Sequence, residues 1–513
     1  MCMCSQFRTQ VFLRVAAALL LAGSAVPAEP AERPLASRPD PRFAISKPTT
    51  FLTGPLRADG YVDYLTALND RAARGVTISN NSAVLLRQAL GVKRFGPVIS
   101  DRYFELLGVA PPDVTHPFVM IGDAANNRLI DEFYQREPTM RSRPLPRREM
   151  PALASWIDAN AAPLELVVRA SQRPNYYEPL VSCESPPLLC RAARTSYEDL
   201  RQAAAALHRR AMMRLSDGDV EKAFQDLIAC HALGRLWSHA PRLTEAFQAI
   251  DVGNEAATGV IALANRGHFS RESVRRYQEV LNSLPPMVPL ADTLGFGERC
   301  VYLDIICESE RAGPGALRQP FVREESKEAY KRVLALVGDP SVDWNEALKD
   351  FNCWYDRLVS ASRQPTRAER LAADAALGNP FKLPAPQAEE NAEHVGGGRS
   401  TATRGVVIGR DLGRALVAFE LFTARGLFDI QDASTTRMRL MHIVVALAAY
   451  RIDHGTYPNN LDSLVPRYLT TVPMDPFSDS QFSYQRNGKG YRLSSVGPNG
   501  HGRWPDGGVC SEL

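Results

Sequence analysis

The chain of 513 residues lacks several things that would narrow its chemistry. Its net charge is only +3. No run of lysine and arginine makes a nucleic-acid footprint; the densest, Arg141 to Glu149, is broken by two prolines. A binding stripe needs positive charge gathered on one face, so no nucleic-acid partner is expected. No C-x-x-C pair stands ready for zinc or redox work. Neither a Gly-rich phosphate loop, an H-E-x-x-H helix nor a nucleophile elbow is found. No repeat recurs at the fixed period of about 34 residues that a tetratricopeptide array requires. These gaps leave the reaction undefined. They turn attention to compartment and architecture.

Both begin at the N-terminus. Arg8 and Arg14 precede the apolar run VAAALLLAG, and SAVPAEP follows it. That is a basic region, a short hydrophobic core and a small-residue cleavage site, with Val26 and Ala28 where a signal peptidase reads. Residues 1–28 are expected to be a signal peptide. The run is short for a bilayer span, so retention as an anchor is the lesser option. No stable transmembrane span is expected after cleavage. The expected location is exported, periplasmic or extracytoplasmic.

Export changes the reading of cysteine. Seven remain beyond residue 28, an odd number. Cys183 and Cys190 bracket ESPPLL, a short proline-containing loop, and are expected to form a disulfide.

Residues 29–55, rich in proline and charge, read as a tether. From 56 to 378 the apolar pattern is helical. Leu200, Ala204, Leu207, Ala211 and Leu215 share one helix face. SDGD breaks that run, and Ala223, Phe224, Leu227 and Cys230 begin the next. A third stripe contains Leu243, Phe247, Ile250, Ala257, Val260 and Ala264. Ser270 is placed to cap a helix that Pro285 and Pro286 close. Asp343 precedes another helix, and Thr366 with Glu369 makes a capping box. Residues 379–405 read as a linker with three consecutive glycines, 406–430 as a connecting helix, and 431–513 as a separate module. A break is expected near Asp429–Ser434. The fold class is therefore mainly α, an irregular array of helical hairpins, with a small α+β module at the C-terminus.

That module has the most definite pattern. Leu440, Ile443, Val444, Leu447 and Tyr450 lie along one side of a helix. DHGTYP stops it, with Gly455 as cap. Pro473 and Pro476 bracket a tight turn, and Asn487–Gly488 joins two alternating strands. Phe482, Tyr484 and Leu493 join Leu447, Tyr450 and Leu464 as its expected core.

The spacing of Tyr450, Asp453, Gly455, Tyr457, Pro458, then Leu464 and Val465, then Pro473, Asp475, Pro476 and Phe477, resembles the globular region of type II secretion major pseudopilins. Tyr484, Tyr491, Ser495, Gly497, Asn499 and Gly500 complete the match. The resemblance covers about the last 80 residues. The region before it is similar to exported helical bacterial proteins that carry the same module, and RLSDGDVEKAFQDLIACHALGRL resembles a single tetratricopeptide unit. The pseudopilin resemblance implies a helix packed on a small antiparallel sheet, and calcium held by an acidic C-terminal loop. Here Asn499 stands where an acid is expected, and Asp506 is the loop's one aspartate, with Glu512 nearby. Calcium wants six to eight oxygens, several of them anionic, so no cofactor is expected.

Three groups of residues invite a chemical reading. His208, Asp226, Cys230 and His231 contain a conceivable cysteine–histidine pair. Asp292, Glu298, Arg299, Asp304, Glu308 and Glu310 gather carboxylates of the kind used for acid–base work. Tyr176, Tyr177, Trp344, Trp354 and Tyr355 are aromatic candidates for a ligand groove. For each, the plainer reading is core packing or helix-surface charge. The function expected is thus a non-enzymatic exported scaffold or interaction protein with protein partners at the cell envelope. The alternative is an envelope hydrolase whose site is assembled from distant helices.

Overall fold

The computed structural model describes residues 40–92, 97–124, 127–134, 142–193, 197–266, 269–317, 327–378, 401–420, 424–498 and 510–512. The expected signal peptide, residues 29–39 of the tether and most of the 379–405 linker lie outside these residues; residues 40–55 are folded, with Lys47–Thr50 helical and Phe43 and Thr50 buried.

The chain is mainly helical with a small strand region at its end. Helices α1 (Tyr64–Ala72), α2 (Ser82–Leu90), α3 (Pro97–Leu107), α4 (Asn127–Tyr134), α5 (Pro151–Ala159) and α6 (Ala161–Ser171) form the first part. The long helices α7 (Tyr197–Ser216), α8 (Val220–Trp237) and α9 (Leu243–Asn265) follow, then α10 (Arg271–Ser283). A short helix, Leu290–Thr293, runs into a π-turn, Leu294–Glu298, and then into α11 (Arg299–Ala312). Helices α12 (Lys327–Val337), α13 (Trp344–Ser362), α14 (Arg367–Leu377), α15 (Thr401–Glu420) and α16 (Ala424–His454) complete the helical body.

Local signals act where they were expected. Ser270 accepts from the Ser273 amide at the start of α10. Asp343 accepts from the amides of Asn345 and Glu346. The Thr366–Glu369 capping box forms. Gly218 takes φ +82° in the turn between α7 and α8, a conformation that costs glycine little. The stripe of Leu200, Ala204, Leu207, Ala211 and Leu215 is buried.

Two large cores result. One joins α2 and α5–α10 with the C-terminal half of α16 and the terminal strands. The other joins the N-terminal arm, α11, α13 and α15 with the start of α16. Helices α9 and α16 belong to both. Leu243, Phe247 and Ile250 of α9 serve the second core, while Ala257, Val260 and Leu263 serve the first. Leu427 and Phe428 of α16 serve the second, and Leu440, Val444 and Leu447 the first.

The break expected near Asp429–Ser434 is absent: α16 runs without interruption from Ala424 to His454. The polar residues there are used within the fold. Arg367 pairs with Asp429 and Asp432, and Arg370 also pairs with the buried Asp432. The sequence shows a hydrophilic gap, and α14 fills it.

Helix α15 meets α13 along Gly405, Gly409 and Gly413, spaced four apart. A methyl group at each would overlap a backbone carbonyl, of Ser341, Asp343 and Ala347 respectively. The two backbones therefore touch without side chains between them.

The terminal strands make two small antiparallel sheets. Strands β1 (Met474–Asp475) and β2 (Ser480–Gln481) pair; β3 (Ser483–Asn487), β4 (Gly490–Ser494) and β5 (Cys510–Glu512) form the other in that order. Gly488 takes φ +55° in the β3–β4 turn. Leu447, Leu464, Phe482 and Leu493 are buried, and Tyr450 and Tyr484 pack beside them. The hairpin also reaches the helical body: the Tyr491 hydroxyl donates to Asn265 Oδ1 at the end of α9, at 2.9 Å.

Candidate functional site

The cysteine–histidine group lies inside the helical body. Asp226 is buried and receives Arg210 and Arg214, each at 2.7 Å. Cys230 donates to the Ala204 carbonyl, and burial pushes its thiol pKa well up. His208 Nδ1 lies 3.9 Å from Glu255, which also pairs with Arg209. His231 is buried, and its ring nitrogens have no hydrogen-bond partner among the described residues. Burial, then Arg235 and His442, hold that imidazole well below its usual pKa. A thiol held protonated is a poor nucleophile. This group packs and pairs α7, α8 and α9.

The carboxylates of 292–310 are separated by their partners. Asp292 meets Arg363 at 2.7 Å on the surface. Glu298 is buried and accepts from the Leu243 amide at 3.1 Å. Arg299 binds Asp356 and lies over the rings of Phe51 and Tyr355. Glu308 pairs with Arg311, and Glu310 receives Arg42 and the Tyr61 hydroxyl. Asp304 accepts from the Cys190 amide at 2.9 Å, with Arg57 at 3.9 Å; burial pushes its carboxyl up to about 6. Together Asp304 and Glu310 fasten the N-terminal arm to α11. The structure does not bring Asp292, Glu298, His208 and His231 to one place.

Cys183 and Cys190 are both free thiols, which corrects the disulfide expected from their spacing. Cys183 is exposed, whereas Cys190 turns inward onto Asp304. Burial, reinforced by that carboxylate, pushes the Cys190 thiol up. A carboxylate on another helix has claimed the residue that the loop spacing offered to Cys183.

The aromatic candidates divide. Trp344 and Tyr355 are buried in the second core and Trp354 packs at its edge. Tyr176 and Tyr177 instead line a cleft bounded by α1, residues 174–180, the corner after α8, the start of α9 and the π-turn. An outer space of about 710 Å³ and an inner recess of about 60 Å³ share Ala72, Tyr176, His239, Ala240 and Pro241.

The π-turn shapes one wall. Gly297 lies so close to the Pro241 carbonyl that a side chain there would overlap it. Between Gly295 and Gly297, Phe296 reaches the outer space, and the Arg71 guanidinium sits 3.8 Å from its ring centre. Such single π-turns recur at functional sites. Opposite, Glu178 accepts from the hydroxyls of Tyr103 (3.0 Å) and Tyr176, with Arg87 at 3.9 Å. Burial, then Glu178, pushes the Tyr103 and Tyr176 hydroxyls well up, so they stay donors. Arg71, Trp237, His239, Glu245 and Phe296 escape a sequence reading, because they come from four separate segments. The doublet of glycines around Phe296 was their one local sign.

In the terminal module the motif residues hold one another. Buried Asp475 accepts from the amides of Phe477 (3.1 Å) and Val496 (2.9 Å), tying the P-M-D-P-F turn to the end of β4. Tyr484 donates to the Pro458 carbonyl at 2.7 Å, and Tyr457 stacks edge-on against Tyr491 at 4.8 Å. Residues 499–509, on which calcium binding would rest, lie outside the described residues.

Among the described residues no helix is long and apolar enough to cross a membrane, and no group of three or more metal-ligating side chains occurs. Comparisons with protein-family models, curated proteins and solved structures find no match.

Proposed function

We propose that this protein is an exported, non-enzymatic scaffold whose helical body presents a pseudopilin-like module to protein partners at the cell envelope. The observation that carries this reading is how the module is mounted. Tyr491 bonds Asn265 of α9, Arg271 of α10 pairs with Asp453, and Gln278 donates to the Tyr468 carbonyl. Leu447 lies in a core common to both parts. A surface held this way meets a partner in one orientation and loses little freedom on binding. The helix–turn–hairpin order and the turn-forming role of Asp475 support the pseudopilin likeness. The signal-like N-terminus supports export.

The test leaves the core untouched. Val465 and Met474 are large exposed apolar residues of the module. Val465→Asp and Met474→Asp together should abolish capture of specific partners from envelope extracts while the melting temperature stays unchanged. Full retention of the same partners overturns the reading.

A further inference from the structure

The cleft separates charge along its depth. Inside, the recess carries Glu178 and Glu245 together with Tyr176, Tyr177 and Trp237. Glu178 is fixed by two tyrosine hydroxyls and has Arg87 beside it. Glu245 accepts from its neighbour, the Thr244 hydroxyl, at 2.6 Å, and pairs with no basic side chain among the described residues. Trp237 is buried, and its indole N–H has no acceptor among them. The outer space has the opposite sign. Arg71 lies on Phe296 and Arg74 is beside it, neither in an ion pair among the described residues, while Arg363 is engaged by Asp292. His239 belongs to both spaces; burial lowers its pKa, so it adds no charge at neutral pH.

We infer that this cleft binds a zwitterionic ligand, its ammonium group in the recess against Glu245 and its carboxylate at the mouth on Arg71. This is the chemistry of a free basic amino acid or of a short peptide. An ammonium group there makes a charge-assisted hydrogen bond to a carboxylate, and nearby aromatic rings add cation–π attraction. A carboxylate at the mouth meets a planar guanidinium already oriented by its ring contact. The reverse orientation sets like charges together at both ends, which is unfavourable. A ligand carbonyl in the recess would give the Trp237 N–H its acceptor. The site involves none of the terminal strands, so it stands or falls separately from the module.

Titration calorimetry on the full chain tests it with L-lysine, trialanine, Nα-acetyl-trialanine and trialanine amide. Saturable binding of L-lysine or of trialanine is expected; the first alone marks an amino-acid site and the second alone a peptide site. Glu245→Gln should weaken the bound ligand about tenfold or more, one lost charge-assisted bond. For trialanine, acetylation should do the same. Arg71→Gln should weaken ligands with a free carboxylate and leave trialanine amide unaffected. Binding of neither ligand at about 1 mM, a weak limit, overturns the inference. So does binding that is indifferent to Glu245→Gln. If either variant fails to fold, the blocked peptides and Nε-acetyl-lysine on the unaltered chain decide in the same way.

Discussion

The phenol of Tyr491, in the last hairpin, donates to the side chain of Asn265 at the end of α9, 226 residues earlier, at 2.9 Å. The bond fixes the hairpin to the helical body. Tyr491→Phe removes it and leaves a carboxamide oxygen with one partner fewer. A stability loss of about 0.5–1.5 kcal/mol is expected, read as a lower urea midpoint with an unchanged slope.

Leu447 is fully buried in the core that α16 shares with α9. Leu447→Ala should cost roughly 2–5 kcal/mol. The loss should appear in the melting of the whole chain as one transition. A module that melts early, while the helical body keeps its own transition, would show that the two parts do not share that core.

Asp304 titrates in a window set by burial. Its folded-state pKa is about 6 against the usual 3.8. Between these values the native chain keeps a proton that the unfolded chain has lost. Stability therefore falls as pH rises through that window and levels off above it. Two pKa units correspond to about 3 kcal/mol. Asp304→Asn keeps an acceptor for the Cys190 amide and should flatten the urea midpoint between about pH 4 and 6. An unchanged slope there would mean that Asp304 is ionised throughout.

Gly409 touches the backbone of α13 directly. Gly409→Ala forces α13 and α15 apart, because the obstacle is the Asp343 carbonyl and not a movable side chain. A cost of about 1–3 kcal/mol is expected from overpacking, measured by chemical unfolding. A neutral result would place α15 elsewhere.

Native-state alkylation should separate the thiols. Cys183 and Cys353 are exposed and should react at once; Cys190, on Asp304, should react only after unfolding. A non-reduced peptide map joining Cys183 to Cys190 would contradict the free thiols described above.

What was legible in the sequence was whatever depends on near neighbours. The Thr366–Glu369 box, the Ser270 cap, the turn at Gly218 and the buried stripe of α7 all follow from spacings of three or four residues. What was not legible depends on a partner far along the chain. Asp429 and Asp432 looked like a break until Arg367 and Arg370 of α14 met them. Cys190 looked free to bond Cys183 until Asp304 held it. Of the cleft, Tyr176 and Tyr177 were visible as candidates, but Arg71, Trp237 and Glu245 reach it only through the packing of α1, α8 and α9.

Helix α16 has a consequence for the order of events as the chain is made. An N-terminal portion made first holds α9 with one flank bare, since Leu440, Val444 and Leu447 arrive only with the final seventh of the polypeptide. The same helix carries Leu427 and Phe428, which close the other core. Neither core is complete until the last helix docks, so folding waits on contacts of large sequence separation, a slow class. Until then the portion already made exposes apolar surface, which makes a holding chaperone or rapid completion of the chain part of its biogenesis.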